Sequence, residues 1–315
     1  MHETEAVFHD GSTIPIRIEG EGRSLLLPVR STPHDPATAE TMRQWGADPE
    51  LGPRLIDGLT ASVRVIAADY EAHRMAYPAA DTLTPENVAA DLLAIADAAG
   101  ADRFAYYGYS WLALAGLQLA IRTDRLWALA MGGFPPIDGP YAEMLAVTRA
   151  AHRASSSDGA AAGTVEDVTP GDWDSATIQT DEAQTRQFVT LYEALSGFDD
   201  AAVQGELRMP RLCFAGSEDA IEYSPKWGGV TVRIAEPLVR NRTRLESAGW
   251  VVVVLEGLDH LGAMHHEVVL PLLRGWLSSP LTVRPLGTKF RSGGVSAGVC
   301  SRNDGPPLLR HALRS

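Results

Sequence analysis

Phe104-Ala105-Tyr106-Tyr107-Gly108-Tyr109-Ser110-Trp111-Leu112-Ala113-Leu114 opens as an apolar strand, turns at a single glycine and continues as a helix, with a serine at the turn. A short apolar run that ends in a turn residue reads as a strand covered on both faces, and the leucine and alanine positions after Ser110 read as a buried helix. Two roles fit a serine at that junction. Its hydroxyl can cap the helix, or a sharp turn can hold it up as a nucleophile. The stretch alone does not decide between them, so the rest of the chain must.

Five further apolar runs share the character of residues 104–107: 25–29, 63–67, 126–131, 212–215 and 251–255. Six buried strands alternating with helical patterns predict an α/β fold with a mostly parallel sheet flanked by helices on both faces. Ahead of them, Ile14, Ile16 and Ile18 alternate with other residues, and Asp10-Gly11 forms a turn pair after Val7-Phe8, which predicts an antiparallel hairpin. The clearest helix starts at Thr84-Pro85 and stops at Gly100, with Val88, Leu92, Ile95, Ala96 and Ala99 on one apolar face.

The alternation breaks over residues 135–204, where a helix near 141–153, an Ala/Ser/Gly-rich stretch at 154–163 and a helix near 181–196 predict a helical cap inserted into a core formed by residues 1–134 and 205–279. Large side chains are missing from 154–163, which is expected to be mobile. Residues 280–315 carry Arg284, Lys289, Arg291, Arg302, Arg310 and Arg314 against Asp304 alone, without periodicity, and are expected to be a disordered tail that activity does not need.

A formal net charge of −13 over 315 residues argues against nucleic acid or an anionic membrane as partner and leaves a small-molecule substrate. The two cysteines, Cys213 and Cys300, lie far apart and suggest neither a disulfide framework nor a metal site. With no apolar run of membrane-spanning length and no basic, apolar leader at Met1, a cytoplasmic monomer or homodimer is expected.

Serine is a weak nucleophile at neutral pH, so it needs a base, a group to orient that base and donors for the oxyanion. The run 212–215 is followed by Gly216-Ser217-Glu218-Asp219, and the run 251–255 by Glu256-Gly257-Leu258-Asp259-His260. Serine, acid and histidine thus follow in that order, each beyond a strand end, and the carboxyl ends of parallel strands share one edge. On these motifs, residues 5–278 resemble the α/β-hydrolase fold superfamily. The resemblance implies Ser110 as nucleophile, His260 as base and then acid, and Asp219 as the orienting carboxylate. It also implies an oxyanion hole built from the Trp111 amide and one from Val29 or Arg30, a cap over the pocket, and hydrolysis of a carboxylic ester or related acyl bond with no cofactor or metal. Carbon-carbon bond hydrolysis, lactone opening, acyl transfer and a non-catalytic receptor remain open on the same site.

Asp138 is a rival acid one strand earlier, and Glu218 adjoins the favoured position. Tyr109, Phe134 and His34 are expected to line the substrate pocket, with His73 near its mouth and Tyr107 and Trp227 as further aromatic candidates. His265-His266-Glu267 lacks the spacing of a helical zinc pair and reads as a solvated helix start. Three departures from the superfamily pattern stand out: Leu112 where a glycine is usual, Pro28-Val29-Arg30 where His-Gly is common, and Asp69-Tyr70-Glu71-Ala72-His73-Arg74 in place of a glycine-bearing motif.

Overall fold

Alternating isoleucines set the start of the sheet. In the computed structural model, which describes residues 1–156 and 181–279, strand β1 (His2–Val7) pairs antiparallel with β2 (Thr13–Glu19), and Ile14, Ile16 and Ile18 turn into the core. Strand β2 then pairs antiparallel with β4 (Arg64–Ala67), and β4 with β3 (Ser24–Leu27) in parallel. From there the sheet is parallel throughout: β5 (Phe104–Tyr109), β6 (Leu126–Gly132), β7 (Arg211–Gly216) and β10 (Trp250–Leu255) complete the order β1-β2-β4-β3-β5-β6-β7-β10. All six expected runs are strands of this sheet. Five of them are buried along all or nearly all of their length because helices cover both faces, and β10 at the sheet edge is the exception.

One face packs on α4 (Pro85–Ala98) and α5 (Trp111–Ala120), the other on α2 (Leu51–Leu59) and α10 (His266–Ser278). Helix α4 is capped as its sequence dictates: the Thr84 side chain accepts from the Asn87 amide, and Pro85 fills the first turn. Two short helices, α1 (Pro36–Gln44) and α3 (Tyr70–Ala76), fill the connections after β3 and β4.

Between β6 and β7 lie α6 (Tyr141–Ser156) and α7 (Glu182–Ala194), which pack on each other. Asp181 and Gln184 form a reciprocal capping box at the start of α7. The expected mobile stretch beyond Ser156 and the basic tail from 280 lie outside the described residues. The short hairpin β8 (Ala220–Glu222) and β9 (Thr231–Arg233), and helices α8 (Ala235–Arg240) and α9 (Arg242–Ser247), separate β7 from β10. That hairpin was not expected, because strands of three residues are too short to show an alternation. Among the described residues no helix is long and apolar enough to cross a membrane.

Register brings the chemistry together. Tyr109 is level with Gly132, Gly132 with Phe214, and Gly216 with Leu255. The loops that follow β5, β6, β7 and β10 therefore open along one edge of the sheet.

Candidate active site

Strand β5 runs two residues further than the sequence suggested, so the turn into α5 is made by Ser110 itself. Its backbone sits at φ 55 and ψ −129, a region that only glycine visits readily. The Ser110 amide anchors this turn by donating to the Gly132 carbonyl at 2.8 Å, while its side chain makes no capping bond to α5. The hydroxyl is thus raised at the sheet edge, in a backbone conformation that costs on the order of 1–3 kcal/mol, without serving the helix it precedes.

Two residues before the serine, Gly108 is compulsory. A Cβ there would stand 2.2 Å from the Leu112 carbonyl oxygen. Close approach of strand and helix is therefore accommodated on the strand side, and Leu112 is free to carry a side chain, 7% exposed, into the core. The Tyr106 hydroxyl fixes the same contact by donating to the Leu112 carbonyl at 2.8 Å.

Asp219 follows β7 and is fully buried. Its main-chain carbonyl accepts from the amides of Ile234 and Ala235, which ties the acid to the far end of the β8–β9 hairpin. His260 follows β10, and its Nδ1 lies 3.0 Å from each carboxylate oxygen of Asp219. Gly216 lets the two loops cross, since a Cβ at that position would lie 2.0 Å from the Leu258 carbonyl oxygen. Asp138, the rival acid, is exposed and accepts from Arg240 and Asn241 instead.

Ser110 and His260 both line a cavity of about 200 Å³, together with Phe134, Met144, Tyr192, Ile221, Tyr223 and Ile234 among others. Phe134 is where the sequence suggested. Tyr109 is not in that wall: it is buried behind the histidine, and its hydroxyl donates to the His260 carbonyl at 2.6 Å. Burial, with Asp219 nearby, pushes the Tyr109 hydroxyl above the ordinary tyrosine range, so it stays a donor. Aromatic residues in a strand read as core or as pocket with equal ease, which is why this support was missed.

On the other side of the serine, the backbone amides of Val29, Arg30 and Trp111 donate to no group among the described residues. The Arg30 carbonyl is held against α2 at Gly52, where a Cβ would lie 1.9 Å from that oxygen. His34 lies outside the cavity wall, within electrostatic reach of Asp69, whose carboxyl burial raises while the Ala72 amide, Arg30 and His34 draw it down. The Trp111 ring stands edge-on to Phe188 of α7, with centroids 5.4 Å apart.

No protein-family model matches the chain, and no curated protein matches it in sequence. Its structure is similar to those of a thermophilic esterase from Thermogutta terrifontis (17% identity, 90% of this chain and 100% of that chain, TM-score 0.54) and a hydrolase from Pseudomonas aeruginosa (17%, 88% and 99%, 0.55). It is also similar to an enol-lactonase from Burkholderia xenovorans (16%, 87% and 100%, 0.51). The chain has the α/β-hydrolase fold.

Within this fold the remaining unusual segments have structural roles. The segment after β4 is α3, and its Arg74 is completely buried, paired with Asp10 at 2.7 Å and donating to Ser12 at 2.9 Å. His73, expected at the pocket mouth, is instead buried against Phe8 and Tyr77 and lies 2.9 Å from the Ser12 hydroxyl. Polar side chains thus clamp the β1–β2 hairpin onto α3. His265 and His266 are partly exposed, as expected, and also engaged, with Gly46 and Asp48 respectively, so they tie α10 to the α1–α2 loop.

Proposed function

We propose that the protein is a serine hydrolase that cleaves a carboxylic ester, or a related acyl bond, of a small and mostly apolar substrate through an acyl-enzyme. The observation that carries this reading is the contact of His260 Nδ1 with both oxygens of a fully buried Asp219, with His260 and an uncapped Ser110 in the wall of one cavity.

With Nδ1–H donated to Asp219, the proton-accepting nitrogen of His260 is Nε2. Ser110 Oγ attacks the carbonyl while Nε2 takes its proton, and Asp219 stabilises the imidazolium that forms. The oxyanion is received by the Trp111 amide, at the start of α5 where backbone N–H groups have no helical partner, and by an amide of the Val29-Arg30 loop. The imidazolium then protonates the leaving group, and water activated by the same nitrogen releases the acid. All three amides are available for this, since none donates elsewhere among the described residues.

Turnover of p-nitrophenyl acetate and butyrate tests the proposal. Wild type is expected to release nitrophenol with a burst of one equivalent, and Ser110→Ala to lose at least about a thousandfold in kcat. Equal rates in the two proteins would refute it. The similarity to an enol-lactonase makes ring opening a second reading of the same chemistry, in which the leaving oxygen stays attached to the acyl group.

A further inference from the structure

Four polar side chains line the cavity, and only two of them belong to the reactive set. Ser110 and His260 enter from loops of the large sheet. Tyr192, on α7, and Tyr223, just after β8, come from elements outside it. The rest of the wall is apolar.

Tyr192 is only 2% exposed and Tyr223 is half-buried; neither hydroxyl makes a hydrogen bond among the described residues, and neither is among the fully enclosed polar atoms, so both keep access to the space that the two rings line. A donor that opens into an otherwise apolar cavity is matched by an acceptor that a ligand brings there. Burial pushes both hydroxyls above the ordinary tyrosine range, for Tyr192 with help from Tyr223 beside it, so both remain O–H donors.

We propose that Tyr192 and Tyr223 form a hydrogen-bonding subsite for an acceptor oxygen, such as a ketone carbonyl, carried by the substrate substituent seated in this cavity. Size limits that substituent. A cavity of about 150 Å³ holds benzene, and one water-sized group fills about 30 Å³. The 200 Å³ here therefore takes a ring with one small polar substituent, or a chain of about seven heavy atoms. The substrate class is a compact ester or lactone that is apolar along its length and bears a second oxygen function away from the scissile bond. As a statement about substrate it rests on the hydrolase reading; as a statement about binding it does not.

Acetophenone and ethylbenzene differ chiefly in one carbonyl oxygen, and calorimetric titration of both into the full chain is the test. Wild type is expected to bind acetophenone about tenfold tighter, from one or two added hydrogen bonds. Tyr192→Phe and Tyr223→Phe should each shrink that ratio, and the double variant should bring it to about one. A ratio that is the same in wild type and in a double variant of unchanged Tm would overturn the subsite. A kinetic arm uses two ester pairs, p-nitrophenyl pentanoate with 4-oxopentanoate and phenyl acetate with 4-acetylphenyl acetate, which carry the acceptor on the acyl and the alcohol side. The subsite requires the kcat/KM ratio within at least one pair to fall by about tenfold in the double variant; unchanged ratios in both would count against it. Wild type that turns over no ester would strike the hydrolase reading alone, and the titration would still decide the subsite.

Discussion

At the scale of single residues, Ser110 and His260 are held in place by hydrogen bonds from their neighbours. The Ser110 turn is fastened by the bond from its amide to Gly132, and His260 by Asp219 in front and the Tyr109 hydroxyl behind. Asp219→Asn, which offers the histidine a donor where it needs an acceptor, is expected to lower kcat for p-nitrophenyl acetate by about 10⁴ with little change in Tm. Tyr109→Phe removes one buried hydrogen bond to the His260 main chain. It should cost about 1 kcal/mol of stability and about tenfold in kcat, with KM largely unchanged, as read by thermal unfolding and steady-state kinetics. The positions of Ser110, Asp219 and His260 just beyond strand ends were legible in the sequence because each follows an apolar run bounded by turn residues. Tyr109, Tyr192 and Tyr223 were not, since nothing in a tyrosine's neighbours along the chain distinguishes core, support and cavity wall.

At the scale of elements, strand β5 and helix α5 approach so closely that one methyl group is too many. Gly108→Ala places a carbon against the Leu112 carbonyl and is expected to destabilise the fold by about 2–3 kcal/mol, the range for overpacking a tight core, measured by denaturant unfolding. Helix α3 relies on polar contacts instead. Burial works to raise the Asp10 carboxyl, but its bonds with Arg74 and Ser12 outweigh this and hold it well below the usual carboxylate range. A carboxyl lowered by folding stabilises the protein above its unfolded pKa of about 3.9, and that contribution fades as pH falls towards the folded value. Asp10→Asn, which leaves a buried guanidinium without its charge partner, should therefore lower Tm at pH 7, with the gap to wild type closing below about pH 4. A gap that does not narrow at all between about pH 4 and about pH 2 would show that the pair is not responsible. The six parallel strands and α4 were readable from apolar runs and capping. The β8–β9 hairpin and α3 were not, because elements of three to seven residues depend on tertiary partners such as the Asp219 carbonyl and Asp10.

At the scale of the whole molecule, a sheet of six parallel strands collects the ends of β5, β6, β7 and β10 along one edge, and α7 with the β8–β9 hairpin contributes to the wall of the cavity there. The order of the motifs along the chain foretold this architecture, since parallel strands leave their following loops no other side on which to meet. What the order could not foretell is the shape of the cavity, which depends on side chains from elements far apart in sequence, such as Phe134, Tyr192 and Ile234. The central claim is that Ser110 is a nucleophile activated by His260. Treating the full chain with a fluorophosphonate probe and mapping the adduct by peptide mass spectrometry tests it most directly. The account predicts one adduct on Ser110 in wild type and none in His260→Ala of unchanged fold; an unlabelled wild type, or an adduct on another residue, would contradict it.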